Sequence, residues 1–130
     1  MLYVDKIELT YVTITYEAPI VYFIYKDGTE LGFPEIKELV GYAEKLSKGK
    51  PYFTFSDVRV DINVTKQGKL YLEDLNNMPL FRGTAAWVKN SVYSFAANFM
   101  SSFSRKSFPF RAFTEKEKAI EWLKGLPLNE

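Results

Sequence analysis

Three polar side chains have the types and spacing for acid–base chemistry. Ser56 and Asp57 lie at the end of a short strand predicted over 52–55, and Asp61 comes shortly after Asp57. Open α/β sheets place their sites at the carboxyl ends of strands, and two carboxylates can divide the roles of acid and base. The same residues also suit the simpler role of ending a strand and forming a turn. A small enzyme using Asp57 or Asp61 is therefore the less favoured alternative.

The chain contains no cysteine and no histidine. Without cysteine there is no disulfide, thiolate nucleophile or thiolate metal site. Without histidine there is no Ser-His-Asp arrangement and no imidazole metal ligand. Proton transfer would need a carboxylate, lysine or tyrosine with a shifted pKa, and no glycine-rich phosphate loop follows a strand. We therefore predict a protein that is not an enzyme, with no catalytic residue, no metal site and no cofactor.

Length and charge bound the remaining function classes. The 130 residues fit one domain, 1–130, and a composition that is 47% hydrophobic and 17% aromatic excludes disorder. The net charge of +1 gives no reason to expect a nucleic-acid partner. No apolar run approaches the roughly 20 residues of a membrane span, and no signal peptide is evident. We expect a cytoplasmic protein without stable membrane insertion and without a nucleic-acid partner.

The first part of the chain predicts a hairpin followed by a helix. Residues 7–16 alternate like one strand with a phase slip at Tyr11, which indicates a bulge or bend. The apolar run 20–25 is typical of a strand buried on both faces. We expect the two to pair antiparallel at one end of the sheet. Pro34 then marks the start of a helix and Gly49 its end.

The segment 58–67 is ambiguous. Its apolar residues alternate as in a strand, but Thr65 is a plausible N-cap for a helix over 66–74, which favours a loop followed by a helix. Downstream, residues 84–89 and 110–113 predict strands, and residues 91–103 predict a helix between them. Thr114 with Glu117 predicts a capping box for a last helix that Gly125 ends.

Alternation of short strands with helices predicts an α/β fold. We expect a mixed, mostly parallel β-sheet of about five strands with about four helices.

Several segments, mostly in the second half, carry a family resemblance: Asp57-Val58-Arg59, Ala85-Ala86-Trp87-Val88, Asn98-Phe99, Pro109-Phe110-Arg111-Ala112-Phe113 and Ala119-Ile120-Glu121-Trp122-Leu123. They resemble the SpoIIAA-like, or STAS-type, domains, closest to a bacterial branch of small stand-alone proteins whose function is not established. The resemblance implies a mixed sheet flanked by about four helices. It also implies a non-enzymatic regulatory or scaffolding role.

The resemblance also implies a candidate phospho-acceptor. The best-known members of that family are anti-sigma factor antagonists with a phosphorylatable Ser in an Asp-Ser-[Ser/Thr]-Gly motif. The corresponding stretch 61–68 departs from that motif, and Thr65 is the only hydroxyl near the right place. A phosphate there would lie at a helix N-terminus, which favours anions. The alternative is that Thr65 is a plain N-cap.

Helix 91–103 carries two apolar stripes. One stripe is spaced for core packing: Val92, Phe95, Ala96, Phe99 and Phe103. A second stripe lies about a third of a turn away: Tyr93, Ala97 and Met100. One sheet contact cannot bury both stripes. We therefore expect the second stripe, with the nearby Arg105 and Lys106, to bind a protein partner or a second copy in a homodimer, or to line a groove for an apolar ligand.

Basic and aromatic residues also alternate over 103–111, where Arg111 joins Arg105 and Lys106. Such interleaving can bind single-stranded nucleic acid or an anionic lipid head group. The neutral balance of the chain favours the alternative, a solvated loop beside core aromatics.

Overall fold

The structure, a computed structural model, describes residues 6–90 and 108–128. The elements follow in the order β1 (Lys6–Glu8), β2 (Val12–Glu17), β3 (Ile20–Tyr25), β4 (Thr29–Leu31), α1 (Phe33–Leu46), β5 (Tyr52–Asp57), β6 (Ile62–Val64), α2 (Lys66–Glu73), a 3₁₀ turn (Leu75–Asn77), β7 (Phe81–Trp87), β8 (Phe110–Phe113) and α3 (Lys116–Lys124). The predicted helix over 91–103 lies outside the described residues.

Within the described residues, the main sheet has six strands in the order β1-β2-β3-β5-β7-β8. The first three strands pair antiparallel as consecutive hairpins. The pairs β3–β5, β5–β7 and β7–β8 are parallel, as connections that cross over between strands require. A separate parallel pair joins β4 to β6. The predicted mixed, mostly parallel α/β sheet is confirmed, and the described part of the chain contributes six strands to it where about five were expected.

Two apolar clusters lie on opposite faces of this sheet. Helix α1 buries Ile36, Leu39 and Ala43 on one face, where α2 adds partly buried apolar residues. Helix α3 buries Ala119 and Leu123 on the other face. The central strands therefore have helices on both sides, and their side chains alternate between two cores.

The first predicted strand is wrong in one respect. Residues 7–16 form two strands, because the chain reverses between them and the Leu9 N–H donates to the Val12 carbonyl at 2.9 Å. The phase slip at Tyr11 marks this reversal. The hairpin of β2 with β3 at one end of the sheet is confirmed.

The segment 58–67 contains the short strand β6, where a loop was favoured. Its only regular partner among the described strands is β4, so a pairing distant in sequence stabilises both. The helix that follows is confirmed, with Thr65 as its N-cap.

The capping box predicted at Thr114 does not form. Helix α3 begins at Lys116 with Glu115 as N-cap and no side-chain cap. The Thr114 carbonyl instead accepts a hydrogen bond of 3.1 Å from the Trp87 indole Nε1. Gly125 ends the helix as predicted. Within 6–90 and 108–128, no helix has the length and apolar character needed to cross a membrane.

Candidate functional site

The predicted acid–base residues are not brought together. Successive side chains of a strand point to opposite faces. Ser56 therefore faces helices α1 and α2, whereas Asp57 faces the side of α3. Asp61 is exposed beyond the strand, and its N–H donates to the Asp27 carboxylate at 2.9 Å. This geometry gives no support to a two-carboxylate site.

Asp57 is held in a bidentate ion pair. The Arg59 Nε and Nη2 donate to its two carboxylate oxygens, each at 2.9 Å. Asp57 is only 8% exposed, and its hydrogen bonds raise the pKa of the Arg59 guanidinium. Both oxygens of the buried carboxylate are thus engaged by Arg59, so Asp57 fits a positioning role at the end of β5.

Thr65 lies at the N-terminus of α2. Its Oγ1 accepts a hydrogen bond of 3.1 Å from the Gly68 N–H, and its own N–H donates to the Leu31 carbonyl at 2.9 Å. The N-cap role is confirmed. Phosphorylation of Thr65 stays a prediction, because the cap geometry suits both alternatives.

The interaction surface predicted on Tyr93, Ala97, Met100, Arg105 and Lys106 lies outside the described residues. Of its neighbours in sequence, Arg111 is exposed on β8, with its guanidinium 5.1 Å from the centre of the Phe113 ring. Phe108 packs edge-on against Phe81, with ring centres 4.9 Å apart. At least one aromatic of the predicted basic and aromatic segment therefore contacts the body of the fold.

A cavity of about 350 Å³ lies between the sheet and helices α1 and α2. Strands β3, β5 and β7 line it with Phe23, Thr54 and Ala86 among others, and α1 contributes apolar residues such as Leu39. Most of the lining side chains are aliphatic or aromatic. The arrangement is typical of a site for a small organic molecule.

The cavity exists because two central strands present small side chains to this face. Thr54 and Ser56 of β5 lie beside Thr84 and Ala86 of β7 in the parallel register. On the opposite face, β5 presents Phe53 and Phe55, which pack with α3. A bulge in β7 also shapes this face of the sheet. Between the pairs Tyr52–Phe81 and Thr54–Thr84, β7 has one more residue than β5, and as a result both Phe81 and Thr84 line the cavity.

Hydroxyl groups interrupt the apolar walls in two places. Thr54 and Thr84 share a hydrogen bond of 2.7 Å between their Oγ1 atoms. Because each hydroxyl has one proton, one proton of this pair is left for another acceptor. Burial raises the pKa of the Tyr25 phenol, and a hydrogen bond from the Ser56 side chain opposes part of that rise. The cavity therefore presents hydrogen-bonding groups that stay neutral.

Lys69 is the one charged side chain among the described residues that line the cavity. It is half-buried on α2, three residues before Leu72, which lines the same cavity. Residues three apart share a helix face. Within 6–90 and 108–128, no group of acidic residues is arranged to hold a metal ion.

The sequence interpretation did not find this site. A signal was present in β5, where small polar residues alternate with Phe53 and Phe55 at a period of two. The contribution of Tyr25 and Lys69 had no such signal, because strand register and helix packing bring them to the cavity from distant parts of the chain.

Comparisons with known proteins support the fold. A crystal structure of an uncharacterized protein from the DUF3478 family with a SpoIIAA-like fold, from Shewanella loihica PV-4, superposes with a TM-score of 0.57. The two chains are 17% identical, and the match covers 86% of this chain and 91% of the other. This likeness shows a SpoIIAA-like fold, as the resemblance implied. No curated protein sequence matches this chain significantly.

A family model matches most of the sequence. The model described as "Domain of unknown function (DUF7793)" covers residues 14–127, which includes every strand and helix described above except β1 and the first two residues of β2. The chain therefore belongs to the DUF7793 family.

Proposed function

We propose that this protein is a non-enzymatic binding module that holds a mid-sized apolar molecule between its sheet and helices α1 and α2. The observation that supports the proposal is the cavity of about 350 Å³. Ligand sites in proteins begin at about 300 Å³, and packing voids larger than a water molecule are few in a domain.

The polar groups of the cavity also favour binding over catalysis. They are the hydroxyls of two tyrosines, two threonines and Ser56, the Asn63 amide and the Lys69 ammonium. The described walls include no carboxylate, so they contain no acid–base pair of the kind first considered for Asp57 and Asp61. A few convergent polar groups in an apolar cavity orient a ligand.

A regulatory role would follow if the bound molecule changed the affinity of the protein for a partner protein. Partner binding or homodimer formation through 91–103 stays a prediction, and so does the cytoplasmic location. Ligand binding is the part of the proposal that the described residues support.

Fluorescence titration with the neutral probe 1-N-phenylnaphthylamine tests the binding function. We expect saturable binding by the native protein. Ser56→Leu should weaken binding at least about tenfold, because the larger side chain occupies the cavity. Thr15→Leu is the matched control, since it makes a similar change on a strand away from the cavity.

Circular dichroism would establish that each variant is folded. Equal affinity of the folded Ser56→Leu variant and the native protein would contradict the cavity as the binding site. Absence of any probe binding by the native protein would contradict the proposed function.

A further inference from the structure

We propose that the ligand is an amphipathic organic acid, with its apolar body in the cavity and its anionic head group against Lys69. This inference rests on the proposed binding function and adds the chemical class of the ligand. It places a salt bridge between the ligand and α2 in a cavity whose walls are mostly apolar.

The position of Lys69 carries the inference. Lys69 and Leu72 are three residues apart on α2, and both line the cavity. The Lys69 side chain is half-buried, and none of the ion pairs found among residues 6–90 and 108–128 includes it. Lysines of soluble domains are mostly exposed, so a half-buried lysine on a cavity wall is a distinctive feature.

Charge complementarity selects the head group. The described lining includes no Asp or Glu that would balance the ammonium. An apolar group covering Lys69 would remove water from the charge without compensation, which is unfavourable, and a neutral hydroxyl would compensate only in part. A carboxylate or another small anion would restore a charge-assisted hydrogen bond. An amine would add repulsion between like charges.

The hydroxyl groups fit the same ligand. The spare proton of the Thr54 and Thr84 pair can be donated to a ligand oxygen. The Lys69 ammonium also donates, because it has no acceptor atom. Both features therefore present donors to the cavity. A ligand that carries acceptor oxygens on an otherwise apolar body satisfies them.

Calorimetric titration with three ten-carbon probes tests the inference. Decanoate, decanol and decylamine share an apolar chain and differ in the head group. At about pH 8 a free carboxylic acid is ionised and a free alkylamine is protonated, so the three probes carry a negative charge, no charge and a positive charge. We expect decanoate to bind about tenfold more tightly than decanol, because a hydrogen bond to a charged group is worth at least that factor. Decylamine should bind more weakly than decanol.

Variants of Lys69 separate charge from shape. Lys69→Met should lower the affinity for decanoate about tenfold and leave that for decanol unchanged. Lys69→Arg should keep most of the preference for decanoate, since the charge remains. Lys66→Met is the matched control, because Lys66 is an exposed lysine of the same helix that does not line the cavity.

The outcomes distinguish the two proposals. Equal affinity for decanoate and decanol, unchanged in Lys69→Met, would overturn the acid head group while leaving the apolar site in place. Loss of all binding, including that of decanol, in a Lys69→Met variant that circular dichroism shows to be folded would also overturn it, because Lys69 would then not discriminate between head groups. Failure of all three probes to bind the native protein would overturn the binding function itself.

Discussion

The guanidinium carbon of Arg59 lies 3.4 Å from the centre of the Trp87 ring. The same guanidinium binds both carboxylate oxygens of Asp57. Trp87 is fixed in turn by its indole hydrogen bond to the Thr114 carbonyl. The ion pair and the cation–π contact thus join the ends of β5 and β7, and the indole hydrogen bond joins β7 to the residue just before α3.

Arg59→Ala should therefore lower the free energy of unfolding by about 1–3 kcal/mol, because it leaves the buried Asp57 carboxylate without its main partner. Arg59→Lys should recover only part of this loss, since an ammonium lacks the bidentate fork. Urea denaturation measures the effect. Lys6→Ala is the control: Lys6 pairs with Glu8 on the surface, and its loss should cost less than about 1 kcal/mol. Equal effects of Arg59→Ala and Lys6→Ala would contradict the prediction.

Gly68 allows α2 to approach β4. A Cβ atom at Gly68 would lie 2.6 Å from the Leu31 carbonyl oxygen and 2.9 Å from the Ile36 Cδ1. Because a backbone atom cannot move aside cheaply, Gly68→Ala should destabilise the fold by about 1–3 kcal/mol.

Gly41→Ala is the matched control for Gly68→Ala. Both glycines lie in helices, but a Cβ at Gly41 would meet no atom within 4 Å. Alanine there should stabilise α1 by about 0.5–1 kcal/mol. The midpoint temperature of unfolding, followed by circular dichroism, should fall for Gly68→Ala and rise for Gly41→Ala. A higher unfolding temperature for both variants would show that helix propensity outweighs the close contact with Leu31.

Alkaline pH should weaken the fold through Tyr25. Burial raises the pKa of its phenol above the value of about 10 in an unfolded chain. Below that value both states keep the proton. Above it the unfolded state loses the proton first, so the free energy of unfolding falls as the pH rises beyond about 10.

Tyr25→Phe should make this fall shallower, because the titrating group is gone. Urea midpoints between about pH 8 and pH 11 measure the slope. Tyr11→Phe should act in the same direction, since burial and then a hydrogen bond to Glu38 raise the pKa of Tyr11. An unchanged slope in both variants would mean that these phenols do not control alkaline stability.

Thr65→Ala should cost about 1 kcal/mol of stability, because it removes the acceptor of the Gly68 N–H at the start of α2. Thr65→Ser keeps the acceptor and should cost little. Chemical denaturation of the two variants gives the comparison. Whether Thr65 also accepts a phosphate is a separate question, which mass spectrometry after incubation with a cell lysate and ATP would answer.

Local patterns predicted most of the elements. The apolar spacing and terminal residues of α1 anticipated its start beside Pro34 and its end before Gly49. The strand β8 occurs at the predicted residues 110–113. Such elements are predictable because helix periodicity, strand alternation and chain breaks act within a few residues.

Long-range pairings were not predictable in the same way. The three-residue strands β4 and β6 have little strand signal of their own, and each is stabilised by the other across the intervening α1 and β5. Thr114 has the residue type of an N-cap, but α3 begins after Glu115, while the Thr114 carbonyl contacts Trp87. A capping preference of about 1 kcal/mol is small enough for tertiary contacts to override.

The sequence by itself determined the fold class and the small side chains that β5 presents to one face, because strand alternation is a property of the strand alone. Only the tertiary structure decided what lies on each face of the sheet at Ser56 and Asp57. It places Tyr25 beside Ser56, and it brings Lys69 and Thr84 to the wall of the same cavity. Those neighbours come from separate elements. Their contact depends on strand register and on how closely Gly68 lets α2 approach β4. Local sequence patterns predict neither of these.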